Sequence, residues 1–198
     1  MTELRNLRDE PPFLLFKEKY EAALSSKQDA IEAIAISSYN KDKGELSSRY
    51  VNLKYVIDNE FIFFTNYSSP KSIAFNSNDR IAALIYWSSI NTQIRINASI
   101  KRTSSKFNKE YFKQRSAEKN ALAISSNQSQ KIESFDQIIA KYNEVKEKEN
   151  LSECPSHWGG YSFVPFEIEF WEGGEHRLNR RNSYRKNSHT WEHSVLEP

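Results

Sequence analysis

Thr92-Gln93-Ile94-Arg95-Ile96-Asn97-Ala98-Ser99-Ile100-Lys101 alternates without a slip. Ile94, Ile96, Ala98 and Ile100 fall on one side, and Gln93, Arg95, Asn97 and Ser99 on the other. Side chains of a strand point to opposite faces in turn, so one apolar and one polar set predict a half-buried antiparallel strand. Just before it, Arg80–Trp87 reads as its pairing partner. Further strands are expected at Ile31–Tyr39, Arg49–Ile57, Phe61–Thr65, Tyr161–Trp171 and Thr190–Leu196. Asp58-Asn59-Glu60 reads as a hairpin turn and Asn40–Ser47, with Gly44, as a loop.

Helical signals interrupt this pattern. Phe13–Ser26 places Phe13, Phe16, Tyr20 and Leu24 on one helical face. Ser69-Pro70-Lys71 has an N-cap serine followed by proline at the first helical position, opening a short helix to about Asn76. Another helix is expected over about Ser105–Ser116, and a third from the capping box Ser134…Gln137 to about Lys148. The third carries Phe135, Ile138, Ile139, Tyr142 and Val145 at helical spacing, a set that reads as core. With no repeats and no long linkers, the sum is one mainly-β (α+β) domain: an antiparallel barrel or strongly curled sheet with peripheral helices.

Composition narrows the class. Aromatic residues make up 13% of the 198 residues, too much apolar material for a disordered chain. Residues 1–30 show no signal-peptide pattern, and the longest apolar run, Ile81–Trp87, is far short of the ~20 residues that span a bilayer. A single cysteine, Cys154, forbids an intrachain disulfide. The chain is therefore expected to be cytoplasmic, with no membrane partner. Residues 177–187 hold Arg177, Arg180, Arg181, Arg185 and Lys186 with no acid, against a whole-chain charge of +2. The run reads either as a solvated basic loop or as an anion site. With no second basic stripe read in the sequence, nucleic acid is not an expected partner.

The five glycines permit neither a G-x-G-x-x-G turn nor a phosphate-binding P-loop, and no G-x-S-x-G or H-E-x-x-H motif is present. Cys154 and His157, and His189 and His193, have ligand-like spacing, but zinc wants three or four convergent groups and no metal is expected. What remains is a set of cations and hydroxyls at strand ends and helix starts: Arg49, Lys54, Thr65, Ser68, Ser69, Lys71, Tyr111 and Arg115. Free N–H groups and the dipole at a helix start favour phosphate, and Tyr111 and Arg115 are four apart, on one face of the expected helix.

Several stretches, in order, resemble the pyridoxine/pyridoxamine 5′-phosphate oxidase family. These are Arg49-Tyr50-Val51-Asn52-Leu53-Lys54, Phe63-Phe64-Thr65-Asn66-Tyr67-Ser68-Ser69-Pro70-Lys71 and Gln93-Ile94-Arg95-Ile96. His157-Trp158-Gly159-Gly160-Tyr161, Ile168-Glu169-Phe170-Trp171 and Arg177-Leu178 are the most specific part, and the likeness runs from about Pro12 to Pro198. The resemblance implies an FMN-binding split β-barrel over residues 1–198, with an N-terminal helical segment (1–28) and a C-terminal dimerisation and active-site region (155–198). It implies a homodimer whose two FMN sites are built from both chains. The implied FMN contacts are Arg49, Lys54, Phe64, Thr65, Lys71, Gln93, Gln128, Ser129, Trp171 and Arg181. The implied substrate contacts are Lys54, Tyr111, Arg115, Lys119, Arg177 and Asn179, the last two at the catalytic positions. The reaction it implies is oxidation of a small phosphorylated B6 vitamer to pyridoxal 5′-phosphate, with molecular oxygen as acceptor and hydrogen peroxide as product.

Three residues depart from the family pattern. Pro70 stands in place of an arginine, Lys119 in place of a serine and Asn179 in place of a histidine. Asparagine hydrogen-bonds but cannot carry charge or transfer a proton near neutral pH. Two of the three sit in the substrate half of the site, which keeps two alternatives open. One is a paralogous split-barrel flavoenzyme, such as a phenazine-pathway-type oxidase or a flavin reductase. The other is a non-enzymatic FMN- or pyridoxal-phosphate-binding protein.

Overall fold

The computed structural model describes every residue from Met1 to Pro198. The strands are β1 (Glu3–Arg5), β2 (Ala33–Asn40), β3 (Glu45–Ile57), β4 (Glu60–Asn66), β5 (Arg80–Trp87), β6 (Thr92–Arg102), β7 (Trp158–Glu172), β8 (Arg180–Asn187) and β9 (Thr190–Val195). The helices are α1 (Pro11–Ser25), α2 (Pro70–Ser77), α3 (Ser105–Lys113), α4 (Ala117–Ser125) and α5 (Phe135–Lys148). Strands β3, β2, β5, β6, β7 and β4 pair in that order, and β4 returns to β3, closing a six-stranded antiparallel barrel.

Strand β7 is long enough to do two jobs. Its first half, Trp158–Phe163, pairs with β4 and closes the barrel; its second half, Glu167–Glu172, pairs with β8. Val164-Pro165-Phe166 lies between these two pairings, beside a register shift against β6. Proline has no N–H to give to a ladder, so it suits the stretch where the edge changes partner. The β8–β9 hairpin then folds back on α1, where Trp191 meets the ring of Phe13 edge-on at 5.8 Å and donates to Glu10.

The alternation expected of β6 holds, with Ile94, Ile96, Ala98 and Ile100 inside the barrel. Helix α1 closes one end by laying Phe16 against Phe61 and Trp87, at 5.1 and 5.8 Å. Phe13, Phe16 and Tyr20 are buried as expected, but Leu24 is not; Ala23 takes the inner position. Ser69 and Pro70 open α2 as the sequence suggests, although the Ser69 hydroxyl makes no capping bond.

Four expectations change. The basic run at 177–187 is a strand rather than a loop over most of its length, because β7 offers it a polar edge with Glu167 and Glu169 in register with Arg185 and Ser183. Half of the expected Asn40–Ser47 loop is strand, leaving a turn at Lys41–Gly44. The helix expected over Ser105–Ser116 stops at Lys113, and Ser116 instead caps α4 by accepting from the Lys119 amide. The apolar face of α5 is not core: no residue of that helix is buried, Ile138, Tyr142 and Val145 are half-buried, and Phe135 is 72% exposed.

Candidate active site

The mouth of the barrel gathers side chains from six elements and the segments between them. Strand β3 brings Arg49 and Lys54, β4 brings Phe64 and Thr65, and α2 brings Lys71 in its first turn. Lys71 is only 7% exposed, and its amine donates to the oxygens of Ser69 and Gln128 at 3.1 and 3.0 Å. Thr65 Oγ1 donates to the same Gln128 Oε1 at 3.0 Å. Two buried donors thus converge on one neutral acceptor, with no carboxylate among their partners. Arg49 is held by Ile36 O at 2.9 Å and by the hydroxyls of Ser38 and Ser47. Burial, with the Arg49 charge nearby, lowers the Lys71 pKa to about 8.

Beyond Thr65 the wall turns aromatic. Phe64 stacks on Tyr111 at 3.8 Å between centroids and on Trp158 at 5.3 Å. Arg115 lies over the Trp158 ring at 4.4 Å. Its Nη2 donates to Lys119 O at 3.0 Å, while its Nη1 is buried without a partner. Arg115 does not share a helical face with Tyr111, since α3 has ended; the turn into α4 brings it back to the same wall. A cavity of about 310 Å³ is lined by Lys54, Lys71, Arg115 and Lys119, with Thr65, Gln128, Phe64, Tyr111 and Trp158, and no acid lines it. Lys54 among these cations sits in the field of a carboxylate, that of Glu32.

The remaining sequence-derived residues lie elsewhere. Gln93, Trp171 and Arg181 form one cross-strand row over β6, β7 and β8 and line none of that cavity. Arg181 donates to Glu169 at 2.8 Å and to Glu197 O at 2.9 Å, and Glu169 also receives Arg95 at 3.1 Å. Ser129, in the left-handed region at φ 70°, borders a separate small cavity. Arg177 is exposed at φ 64°, and Asn179 Oδ1 accepts from the Gly174 amide at 3.2 Å. The row through Gln93 continues onto Tyr86 of β5. There the barrel's outer face carries exposed apolar side chains, with Tyr50 75% and Tyr86 55% exposed beside Leu84.

Sequence reasoning missed Trp158 as a site residue, although it lies inside the quoted His157–Tyr161 stretch; only its packing on Phe64 and Arg115 reveals the role. Cys154 and His157 do not converge on a metal. The cysteine faces carbonyls of Pro155 and Trp158, His157 meets Ala123 O, and no group of three or more His, Cys, Asp or Glu side chains is placed to hold an ion. No helix is long and apolar enough to cross a membrane.

Comparison with known proteins agrees with this fold. Residues 16–149 match the family described as pyridoxamine 5′-phosphate oxidase, and residues 158–198 match the pyridoxine 5′-phosphate oxidase C-terminal dimerisation region. The chain is 36% identical to pyridoxine/pyridoxamine 5′-phosphate oxidase 1 of Hydrogenovibrio crunogenus, over 94% of this chain and 88% of that one. It is 35% identical to the pyridoxine/pyridoxamine 5′-phosphate oxidase of a Nostoc species, over 96% and 90%. Among solved structures, PhzG of Burkholderia lata 383, in complex with tetrahydrophenazine-1-carboxylic acid, superposes with a TM-score of 0.88 at 26% identity, covering 96% of this chain and 94% of that one. By sequence and by fold, the chain belongs to the pyridoxine/pyridoxamine 5′-phosphate oxidase family of flavin-dependent oxidoreductases.

Proposed function

We propose that this protein is an FMN-dependent oxidase working as a cytoplasmic homodimer. It would convert pyridoxamine or pyridoxine 5′-phosphate to pyridoxal 5′-phosphate with molecular oxygen, releasing hydrogen peroxide. The observation that carries this reading is the cavity whose charged lining is entirely cationic. Cations crowded together without acids repel one another, and they persist where anions bind them. Lys71 and Thr65 already converge on a neutral oxygen, so their donors fit a phosphate, and Arg49 adds charge behind them. FMN, when bound, supplies the acceptor for the two electrons that the substrate gives up.

The chain's own residues divide the remaining work. Lys54, Tyr111, Arg115 and Lys119 hold the substrate phosphate and so orient the carbon to be oxidised. The stacked Phe64, Tyr111 and Trp158 exclude water along one side of the cleft. Gln93, Trp171, Arg181, Gln128 and Ser129 complete the flavin site. Of these, the row on β6–β8 reaches it from a second copy, whose docking the outward Tyr50, Leu84 and Tyr86 support. Arg177, exposed and outside this chain's own cleft, would reach over the substrate ring of the second copy.

A second reading, a paralogous enzyme acting on another ring, is favoured by one observation. Asn179 spends its carboxamide oxygen on Gly174 rather than presenting it to a ligand. The test is to purify the protein, record its visible spectrum, and add each vitamer under air while following peroxide. FMN bands with stoichiometric peroxide are expected. Bound FMN with neither vitamer oxidised would move the assignment to the paralogue.

A further inference from the structure

Helix α3 supplies Tyr111 and leads to Arg115, yet most of what attaches it is apolar. Phe107 and Tyr111 pack on Tyr55 and Phe64, and Phe112 packs on Trp158. Burial of this kind is strong but non-directional and does not by itself fix how the helix is rotated or where it sits along its axis. One polar side chain on the same face does. Asn108, 5% exposed, accepts from the Gly160 amide at 2.9 Å and from Thr103 Oγ1 at 2.5 Å, and donates to Tyr67 OH at 3.0 Å. Tyr67 OH in turn donates to Gly160 O at 3.1 Å.

The anchoring point is well chosen. Gly160 is the cross-strand partner of Phe64, the residue on which Tyr111 stacks. The adjacent Gly159 has no room for a methyl group, which would run into Tyr67 OH and the Asn108 amide, so this network requires a bare backbone. From Phe64 the path runs through Gly160 and Asn108 to Tyr111, three residues further along the helix and on the same face.

We propose that Asn108 is a positioning residue for the substrate half of the cleft. By clamping α3 to the β4–β7 pair it sets the Tyr111 and Arg115 end without touching the Arg49, Thr65 and Lys71 end. A satisfied buried network specifies one arrangement where apolar packing alone allows several. The inference rests on the assignment of Tyr111 and Arg115 to the substrate phosphate.

The test uses the FMN-loaded protein with pyridoxal 5′-phosphate as the ligand, its binding read by equilibrium dialysis. Asn108→Ala should weaken that binding about tenfold and raise KM for the vitamers in proportion, while FMN affinity stays within twofold. Tyr67→Phe keeps the Gly160 and Thr103 bonds of Asn108. It should give a smaller effect, about threefold, and serves where Asn108→Ala folds poorly. A purely structural role would lower the melting temperature of both variants and leave the ratio of the two affinities unchanged, which would overturn the proposal. Equal losses for FMN and for pyridoxal 5′-phosphate would also overturn it. Turnover by the unaltered protein is a separate readout. A protein whose affinity for pyridoxal 5′-phosphate depends on Asn108 as predicted but that oxidises neither vitamer would sink the oxidase reading and leave this one standing.

Discussion

Two groups of cations in this molecule have opposite surroundings. On β8, Arg181 and Arg185 lie against Glu169 and Glu167 of the neighbouring strand, at 2.8 and 3.8 Å. At the barrel mouth, Lys71, Arg115 and Lys119 line a cavity without one acid, and Lys71 is nearly buried there. The first group belongs to a conspicuous run, five cations in eleven residues; the second is scattered over 49 positions, from Lys71 to Lys119. The density of charge along a chain therefore says little about which of its cations the fold leaves without an acid. What counts is whether the fold brings a neutralising acid to a cation, and antiparallel pairing with a glutamate-bearing strand did so for Arg181 and Arg185.

The contrast makes its largest prediction at Lys71. Lys71→Ala should weaken FMN binding about a hundredfold, the scale of a charged hydrogen bond worth roughly 1.5–3 kcal/mol. The FMN-free protein should move the other way: Lys71→Met removes a buried, unneutralised amine and should raise the melting temperature. Arg185→Ala, at an exposed ion pair, should change neither quantity beyond about twofold or ~0.5 kcal/mol. Flavin fluorescence titration and thermal melts on the three variants read both effects. Loss of stability on removing Lys71 would show that the two groups are not different in kind.

Glu169→Gln tests the other side. It leaves Arg95 and Arg181 without their shared carboxylate, and the cost should be about 1–2 kcal/mol, held down because Arg95 is more than half exposed. Urea denaturation measures it. An unchanged midpoint would mean that the neutralised row contributes nothing to stability.

Much of the fold was legible because the barrel strands alternate. β6 shows period two plainly, β5 reads as an apolar run just before it, and Ser69-Pro70 marks the start of α2. What was hidden follows from pairing and packing between distant segments. β8 carries no apolar alternation, since its neighbour β7 presents glutamates to it, so nothing local marks Arg180–Asn187 as strand. The apolar side of α5 looks like core by spacing, yet only α4 packs against it substantially, and Phe135 stays in solvent. Ser116 followed by Glu118 was a readable helix start that would have separated α3 from α4. The cleft was readable residue by residue but not as a cavity. Nothing in the local sequence places Trp158 beneath Arg115, or Asn108 on Gly160.

A third prediction sharpens the account of the cleft itself. Lys119 stands in the first turn of α4, where the helix dipole disfavours a cation, and it has no acid partner. Lys119→Ser should therefore weaken binding of pyridoxal 5′-phosphate about fivefold to tenfold at low salt. The difference should fall toward twofold near 1 M salt, where the screening length is only ~3 Å. Unphosphorylated pyridoxal should bind both forms alike. A loss independent of salt would point to geometry rather than charge.

The smallest effect is the dependence on pH, and its sign separates the two cation groups again. Lys71 titrates at about 8 in the folded, ligand-free protein, below its usual 10.5. Below about 8 the amine is charged in both folded and unfolded chains. Between about 8 and 10.5 only the unfolded chain still holds the proton, so Lys71 makes the ligand-free protein more stable as pH rises through that window. FMN binding runs oppositely. Its phosphate, with a second pKa of ~6, is a dianion throughout, but the amine must be charged to meet it. The charged fraction of Lys71 falls roughly threefold between pH 7.5 and 8.5, and FMN affinity should fall by the same factor. Arg49 keeps its charge over this range, so what remains above it is the arginine's share. Riboflavin, which lacks the phosphate, provides the control. Its affinity should be flat from pH 7 to 9 if Lys71 acts on the phosphate, and parallel FMN and riboflavin profiles would remove Lys71 from that role.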